Sequence, residues 1–254
     1  MTPSHFSSIA KDYNDLRTTD LEPVIYIRDA LSGREYTNAA DIGCGTGQYD
    51  ITLLKEIPRM RLICVDENEE MLDIAKSHLA TNDRFESICM DAANFFLYIF
   101  VLRFDAIFTF NAIHHIGFQK FMRISRPVLG PGGHIFIYTR TRSQNAGSVW
   151  GRYFPGFSEK ETRLYEMDEM SQWVKNESGF ILSEAKEFCH QRVASIERLL
   201  HLVHSRHYST FALYREEELK RAIVCFEENL RREHKDTERI EWKDGNVMIH
   251  LRRK

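Results

Sequence analysis

Ala39-Ala40-Asp41-Ile42-Gly43-Cys44-Gly45-Thr46-Gly47 is the stretch on which the reading of this chain turns. A short apolar run, Asn38–Ile42, leads into glycines at every second position. A helical pattern follows from about Tyr49 to Glu56 and is stopped by Pro58. Glycine lets the backbone turn sharply and lets a ligand approach where a Cβ would clash. The helix beyond the turn begins with N–H groups that have no partner inside the helix. A nicotinamide-type pyrophosphate loop needs GxGxxG. Here the third glycine comes one residue early, and Gln48 stands where that pattern wants glycine. The glycines alone are a weak sign; the same loop with Asp41 ahead of it is a stronger one.

Working outward, short apolar strands alternate with helices. Residues 21–32 read as an amphipathic helix running into Gly33. Arg61–Val65 is a buried-strand run that stops at Asp66, and Glu69–Ala80 is a helix with Met71, Leu72, Ala75 and Leu79 on one face. Arg84–Met90, Asp105–Phe110 and His134–Tyr138 complete five strands, with a helix over Gln119–Leu129 halting at a GPGG turn. This rhythm calls for a parallel sheet covered by helices on both faces, an α/β fold in three αβα layers. The end of the chain departs from it. Phe180–Phe188 and Ile240–Leu251 read as strands, the second with a turn at Asp244–Gly245, and helices at Ser195–His204 and Glu216–Arg232 lie between them. That arrangement predicts an antiparallel partner at the sheet edge, with the helices as an insertion. An irregular aromatic stretch, Thr141–Tyr165, sits where lids and substrate walls tend to lie.

Composition sets the outer bounds. With 254 residues, 43% hydrophobic and 28% charged, the chain can bury a sizeable core without staples. The net charge of −3 argues against a nucleic-acid binder, whose affinity rests on neutralising phosphates. Cys44, Cys64, Cys89, Cys189 and Cys225 are widely spaced with no CxxC pair, so the spacing suggests neither a zinc site nor a disulfide framework. They read as small buried hydrophobes, and no metal is expected. The opening residues lack a signal-peptide core and no apolar run is long enough to span a membrane, so a cytoplasmic location is the expectation.

Two further acids follow the glycine loop. Asp66 ends the next strand, 19 residues past Gly47, where a carboxylate can accept both hydroxyls of a ribose. Asp91 follows the third strand, where it can accept from an adenine amino group. Any one such Asp is more often a helix cap or turn residue. Three acids ending successive strands beside a glycine loop tip the balance, because open α/β sheets bind ligands at the strands' carboxyl ends.

At this point ADIGCGTG, VDENEEMLDIA, CMDAANF, FDAIFTFNAIHHI and LGPGGHIFI, taken in order, resemble the motifs of class I S-adenosylmethionine-dependent methyltransferases. The similarity is to the methyltransferase type 11 branch, and the opening FSSIAKDYNDLR resembles that branch's N-terminal segment. It covers roughly residues 5–140. The resemblance implies a Rossmann-like methyltransferase fold: a seven-stranded, mostly parallel sheet whose last strand is antiparallel, plus helical cap insertions. It implies one domain over 1–254, with an N-terminal arm at 1–33 and caps at 141–165 and 190–235. It implies S-adenosyl-L-methionine as cofactor, with Asp41, Gly43, Gly45 and Gly47 along its methionine part and Asp66 on the ribose. Glu67 and Met71 would flank the adenine, Met71 packing on its face, while Asp91 and Ala92 meet the adenine edge. Asn111 would sit near the sulfonium, and Tyr13 and Arg17 would close over the carboxylate. NFFLYIFVLR, between Asp91 and Asp105, departs from the polar turn common in the family and leaves the local loop geometry open.

Methyl transfer from a sulfonium is an in-line displacement, and alignment with water excluded supplies much of its acceleration. A general base is needed only if the acceptor must lose a proton. His114 and His115 are the nearest candidates, with His134 further off. A structural or cofactor-wall role for His114 outweighs that of base or acceptor contact, and His115 reads as a helix residue facing the core or its neighbours. For the acceptor, Trp150, Arg152, Tyr153 and His207 mix cations and aromatics, as would suit a small aromatic or anionic molecule. The plainer reading, that the aromatics seal the cap's own core, stands level with it. The rivals are an RNA or protein acceptor, a non-catalytic module keeping the fold, and an NAD-dependent oxidoreductase.

Overall fold

A computed structural model describes residues 18–99, 103–176 and 179–254. Tyr13 and Arg17 lie outside the described residues. The chain divides into two compact units: one takes in the chain up to Thr139 with Met167–Lys186 and Val247–Lys254, the other Arg140–Glu166 and Glu187–Asn246.

In chain order the first unit runs α1 (Glu22–Leu31), β1 (Thr37–Ile42), α2 (Gln48–Glu56), β2 (Met60–Asp66), α3 (Glu69–Leu79), β3 (Phe85–Cys89), α4 (Ala92–Tyr98), β4 (Phe104–Phe110), α5 (Ile113–Ile116), α6 (Phe118–Ser125) and β5 (Leu129–Thr139). The second unit opens with three short helices, α7 (Arg142–Gly147), α8 (Val149–Tyr153) and α9 (Phe157–Lys160). α10 (Met167–Asn176) belongs to the first unit again; β6 (Phe180–Ala194) runs from it into the second, which holds α11 (Ile196–His204) and α12 (Glu216–Glu233), and β7 (Ile240–Arg253) returns to the first. The seven strands form one sheet in the order β3-β2-β1-β4-β5-β7-β6. β1 through β5 are parallel neighbours, and β7 pairs antiparallel to β5, from His134↔Arg252 to Thr139↔Val247. This is the Rossmann-like arrangement expected, with the antiparallel last strand in place.

The order reverses at β1: the chain first builds outward through β2 and β3, then crosses to β4. Both halves of the parallel sheet therefore end their strands on the same edge, and the reversal falls between β1 and β4, the place where open α/β sheets bind ligands. Ala39, Ala40, Leu62, Ile107, Phe108 and Ile135 are fully buried, as a sheet covered on both faces requires. Helices cover it with one apolar stripe each: Val24, Ile27 and Leu31 from α1; Met71, Leu72, Ala75 and Leu79 from α3.

The second unit has an aromatic core of its own. Trp150 stacks on Phe226 at 5.4 Å between ring centroids and meets Phe211 edge-on at 5.6 Å. Phe154 packs on Phe226 and Phe211, and His207 lies 5.0 Å from Trp150. α11 adds Ile196, Leu199, Leu202 and Val203. A buried ion pair, Arg140 Nη2 to Asp244 Oδ1 at 2.5 Å, closes one side.

Several expectations need correction. The stretch after Asp91, whose local geometry was left open, begins as a helix: Asp91 caps α4, which buries Phe95 and Phe96 and leaves Leu97 and Tyr98 about 70% exposed. Thr141–Tyr165 is mostly helical, and α10, which the sequence reading did not include, buries Met170 and Val174 at helical spacing. β7 passes through Asp244–Gly245 without a turn, and the GPGG turn is absorbed into the start of β5. Cys89, Cys189 and Cys225 are exposed rather than buried, and so is His115.

Candidate functional site

Because β1 to β4 are parallel, their carboxyl ends set four features side by side: Asp91 after β3, Asp66 at the end of β2, the glycine loop after β1, and Asn111 after β4. The loop folds over the end of β2. The amides of Gly43 and Cys44 both donate to the Val65 carbonyl, at 2.7 and 3.2 Å. Gly43, Gly45 and Gly47 all take positive φ (76°, 58° and 75°), which only glycine adopts without strain. Gly47 is the N-cap of α2 and offers no side chain to the helix start.

The three glycines serve different ends. A Cβ on Gly43 would lie 2.5 Å from Ala112 Cβ, so Gly43 lets the loop pass the end of β4. A Cβ on Gly47 would press on Ala75 of α3 at 3.1 Å. Around Gly45 nothing lies within 4 Å of that position. Residues 43–45 are part-exposed and Gly47 is buried, so the loop's accessible surface lies at its first two glycines.

Asp66 fastens the loop: its Oδ2 accepts from the Gly45 amide at 2.9 Å, and its Oδ1 accepts from the Asn68 amide at 2.9 Å. Burial raises its pKa, and those two amides oppose the rise. Each oxygen keeps a further lone pair, which leaves room for two donors such as vicinal hydroxyls. Asn68, absent from the sequence reading, caps α3 by accepting from the Met71 amide at 2.9 Å. Its place directly before Glu69 and an apolar periodic run was the signal for it.

Asp91 accepts from the amides of Ala93 (3.0 Å) and Asn94 (3.2 Å), so its first role is that of a helix cap. Burial pushes its carboxyl up, but the bonds from Asn94 and Ala93 outweigh that and hold it low, so it stays charged. Ala92 is part-exposed beside it and Glu67 is exposed. Asn111 takes a left-handed φ of 54°, and its amide donates to the Tyr138 carbonyl at 2.7 Å, tying β4 to β5. His114 is half-buried in α5 with its ring 4.1 Å from that of His115.

Two expected contacts do not hold as drawn. Met71 is 2% exposed and belongs to the packing face of α3, so it presents no face to an adenine. Asp41 is 1% exposed and sits below the loop rather than on its surface. Burial and then the neighbouring Asp50 charge, with Asp66 beyond, push its carboxyl well up. Asp50, on α2, is likewise enclosed, and burial pushes it up to about 6. The charges of Asp41 and Asp50 act on each other, yet no hydrogen bond of good geometry joins them: both Asp50 oxygens and Asp41 Oδ1 have no partner. Asp50 was legible as an acid at i on a face whose i+3 and i+4 positions are Leu53 and Leu54.

The residues proposed for the acceptor lie in the second unit. Trp150 and His207 are 2% and 3% exposed, and His207 Nδ1 is 2.9 Å from the Leu202 carbonyl, so both are core. Tyr153 is half-buried against His234, and Arg152 is exposed. Trp150 and His207 thus seal the unit's own core, while Tyr153 and Arg152 keep accessible surface.

The donor set at the sheet edge suits a cationic, hydroxyl-bearing ligand: open space at Gly45, an Asp66 with spare lone pairs, and carboxylates that a nearby positive charge would stabilise. Residues 39–133 match the model of a methyltransferase domain family, whose cofactor is S-adenosylmethionine. Among solved structures, a candidate methyltransferase from an antibiotic biosynthesis pathway of Anabaena variabilis is similar with a TM-score of 0.64 at 19% identity, covering 92% of this chain and 98% of that one. A candidate methyltransferase of Bacillus halodurans gives 0.63 at 15%, over 92% and 99%. The plantazolicin methyltransferase BpumL, solved with a triazolic desmethyl analogue and S-adenosylhomocysteine, gives 0.58 at 15%, over 97% and 90%. At these identities the likeness is one of fold. No curated protein matches the sequence.

Proposed function

We propose that this chain, built on the class I methyltransferase fold with a methyltransferase domain at residues 39–133, transfers the methyl group of S-adenosylmethionine to a small-molecule acceptor. The observation that carries the reading is the Gly45–Asp66 bond: a left-handed glycine with open space above it, held by a carboxylate that still has acceptor capacity. Asp66 would receive the ribose hydroxyls, and Gly43 and Gly45 would let the methionine part approach the backbone. Asp91 and Ala92 would meet the adenine edge, Asp91 sharing oxygens already used in the cap. Glu67 would flank the adenine from its exposed position. Asp41 would support the loop from beneath.

The sulfonium supplies an activated methyl group, so the protein needs no nucleophile of its own. Its task is to align the acceptor and exclude water. Asn111, held in its strained turn by Tyr138, and His114 beside it would border the reacting methyl; His114 would take a proton from an acceptor that carries one. A small acceptor is favoured by the net charge of −3, which opposes a nucleic-acid backbone. No helix among the described residues is long and apolar enough to cross a membrane.

Calorimetric titration with S-adenosylmethionine and S-adenosylhomocysteine tests the reading. Wild type should bind both, and Asp66→Ala should lose about 2 kcal/mol or more, as expected when a buried charged acceptor is removed. Failure of wild type to bind either compound would sink the assignment; equal affinity in the variant would remove Asp66 from the site.

A further inference from the structure

Beneath the glycine loop lies a cluster that cofactor binding leaves unused. Cys44 Sγ, Cys64 Sγ and a carboxylate oxygen of Asp50 all lie within 4.8 Å of one another. Cys64 and Asp50 are fully enclosed, and Cys44 is half-buried. Neither carboxylate oxygen of Asp50 has a hydrogen-bond partner of good geometry, although the Cys64 thiol and the Asp41 carboxyl lie close enough to oppose the rise of its pKa. A buried polar atom without a partner is uncommon and costly, which marks the cluster as built for something that fills it. Asp41, the register partner of Cys64 across β1 and β2, adds another unpartnered oxygen at its Oδ1.

We propose that Cys44, Cys64 and Asp50 form a binding site for a thiophilic divalent cation of the zinc type. Two sulfurs with one carboxylate suit a borderline-soft ion; magnesium and calcium prefer oxygen throughout. With zinc–sulfur bonds of about 2.3 Å, tetrahedral sulfurs stand about 3.8 Å apart. The cluster is at most about 1 Å wider than that, a gap that side-chain rotation closes. The ligands come from β2, the loop and α2, so the ion would fasten the loop and the helix start to the sheet. Binding displaces one proton from each thiol to solvent, leaving two thiolates and a carboxylate around a doubly positive ion. Sequence spacing concealed the site, because Cys44 and Cys64 are 20 residues apart and meet only through strand pairing.

The test uses the full chain, stripped with chelator under reducing conditions and free of S-adenosylmethionine, so that its outcome is separate from the cofactor reading. Titration with Co2+ should show one ion per chain and a thiolate-to-cobalt charge-transfer band that Zn2+ abolishes and Mg2+ does not. Cys64→Ser and Asp50→Asn should each weaken the ion by more than about tenfold, since even outer partners of metal ligands are worth that much. Cys189→Ser, at an exposed position, should leave it unchanged. X-ray absorption at the zinc edge of loaded wild type should find two sulfurs in the ion's shell, and it holds the idea to account even where a variant fails to fold. A wild type without the charge-transfer band, a shell of only nitrogen and oxygen, or a band that survives in Cys64→Ser overturns the proposal.

Discussion

A methyl group placed on Gly43 would fall 2.5 Å from Cβ of Ala112, so the first glycine of the loop is fixed by the residue that follows Asn111. The loop after β1 and the turn after β4 thus share one tight contact. Gly43→Ala should strain φ as well as collide, costing about 2–4 kcal/mol. Thermal unfolding should fall by on the order of 5 °C or more. An unchanged Tm would mean the two turns can part freely.

Asp91 separates two roles by chemistry. Asp91→Ala removes the cap of α4 and should cost about 1 kcal/mol of stability. Asp91→Asn keeps a capping oxygen and should cost little. If the carboxylate also meets an adenine, both variants weaken S-adenosylhomocysteine by calorimetry. Full affinity in Asp91→Asn would reduce Asp91 to a cap.

Trp150 fills the centre of the second unit, 2% exposed between Phe211, Phe226 and His207. Trp150→Ala should destabilise by about 3–5 kcal/mol, seen as an earlier urea transition. A variant of wild-type stability with a raised KM for an acceptor would return Trp150 to the acceptor site.

His134 and His250 should make stability fall with acid. His134 Nδ1 lies 2.8 Å from His250 Nε2, His250 Nδ1 lies 2.9 Å from the Tyr26 hydroxyl, and that hydroxyl donates to Glu184 at 2.9 Å. Donation from His134 to His250, to Tyr26 and on to Glu184 completes these three bonds with both imidazoles neutral. Burial first, then Arg34 and Arg252, lowers His134 to about 4; burial, His134 and Arg252 bring His250 to about 4. Asp105 opposes this at His134, and Lys186 lies over the Tyr26 ring. Unfolded imidazoles titrate near about 6.5, so between there and pH 4 the unfolded state takes up protons that the folded state refuses. The contribution is whole above pH 6.5 and is lost as pH falls toward 4. Urea midpoints from pH 7 to 4 should drop less steeply in His250→Gln than in wild type; parallel curves would exclude the pair.

Much of this was legible along the chain because its causes are local. The glycine loop, the strand-end position of Asp66 and the apolar stripes of α1 and α3 each lie within a few residues. α4 was hidden because NFFLY shows no clear polar face until Asp91 caps it; Asp50 was passed over although its spacing to Leu53 and Leu54 marks the inward face of α2. The aromatics of 150–157 and 207–211 had two equal readings, since ring type does not say whether a ring faces a ligand or another ring.

The sequence by itself determined the alternation of strands and helices, the left-handed turns of GCGTG and the acids that close β2 and β3, for backbone preference and hydrophobic period act over one or two turns of chain. Only the tertiary structure decided that Met71, Trp150 and His207 are core, and that Cys44, Cys64 and Asp50 meet. Those outcomes depend on strand pairing and on burial between residues far apart in sequence, which no local pattern encodes.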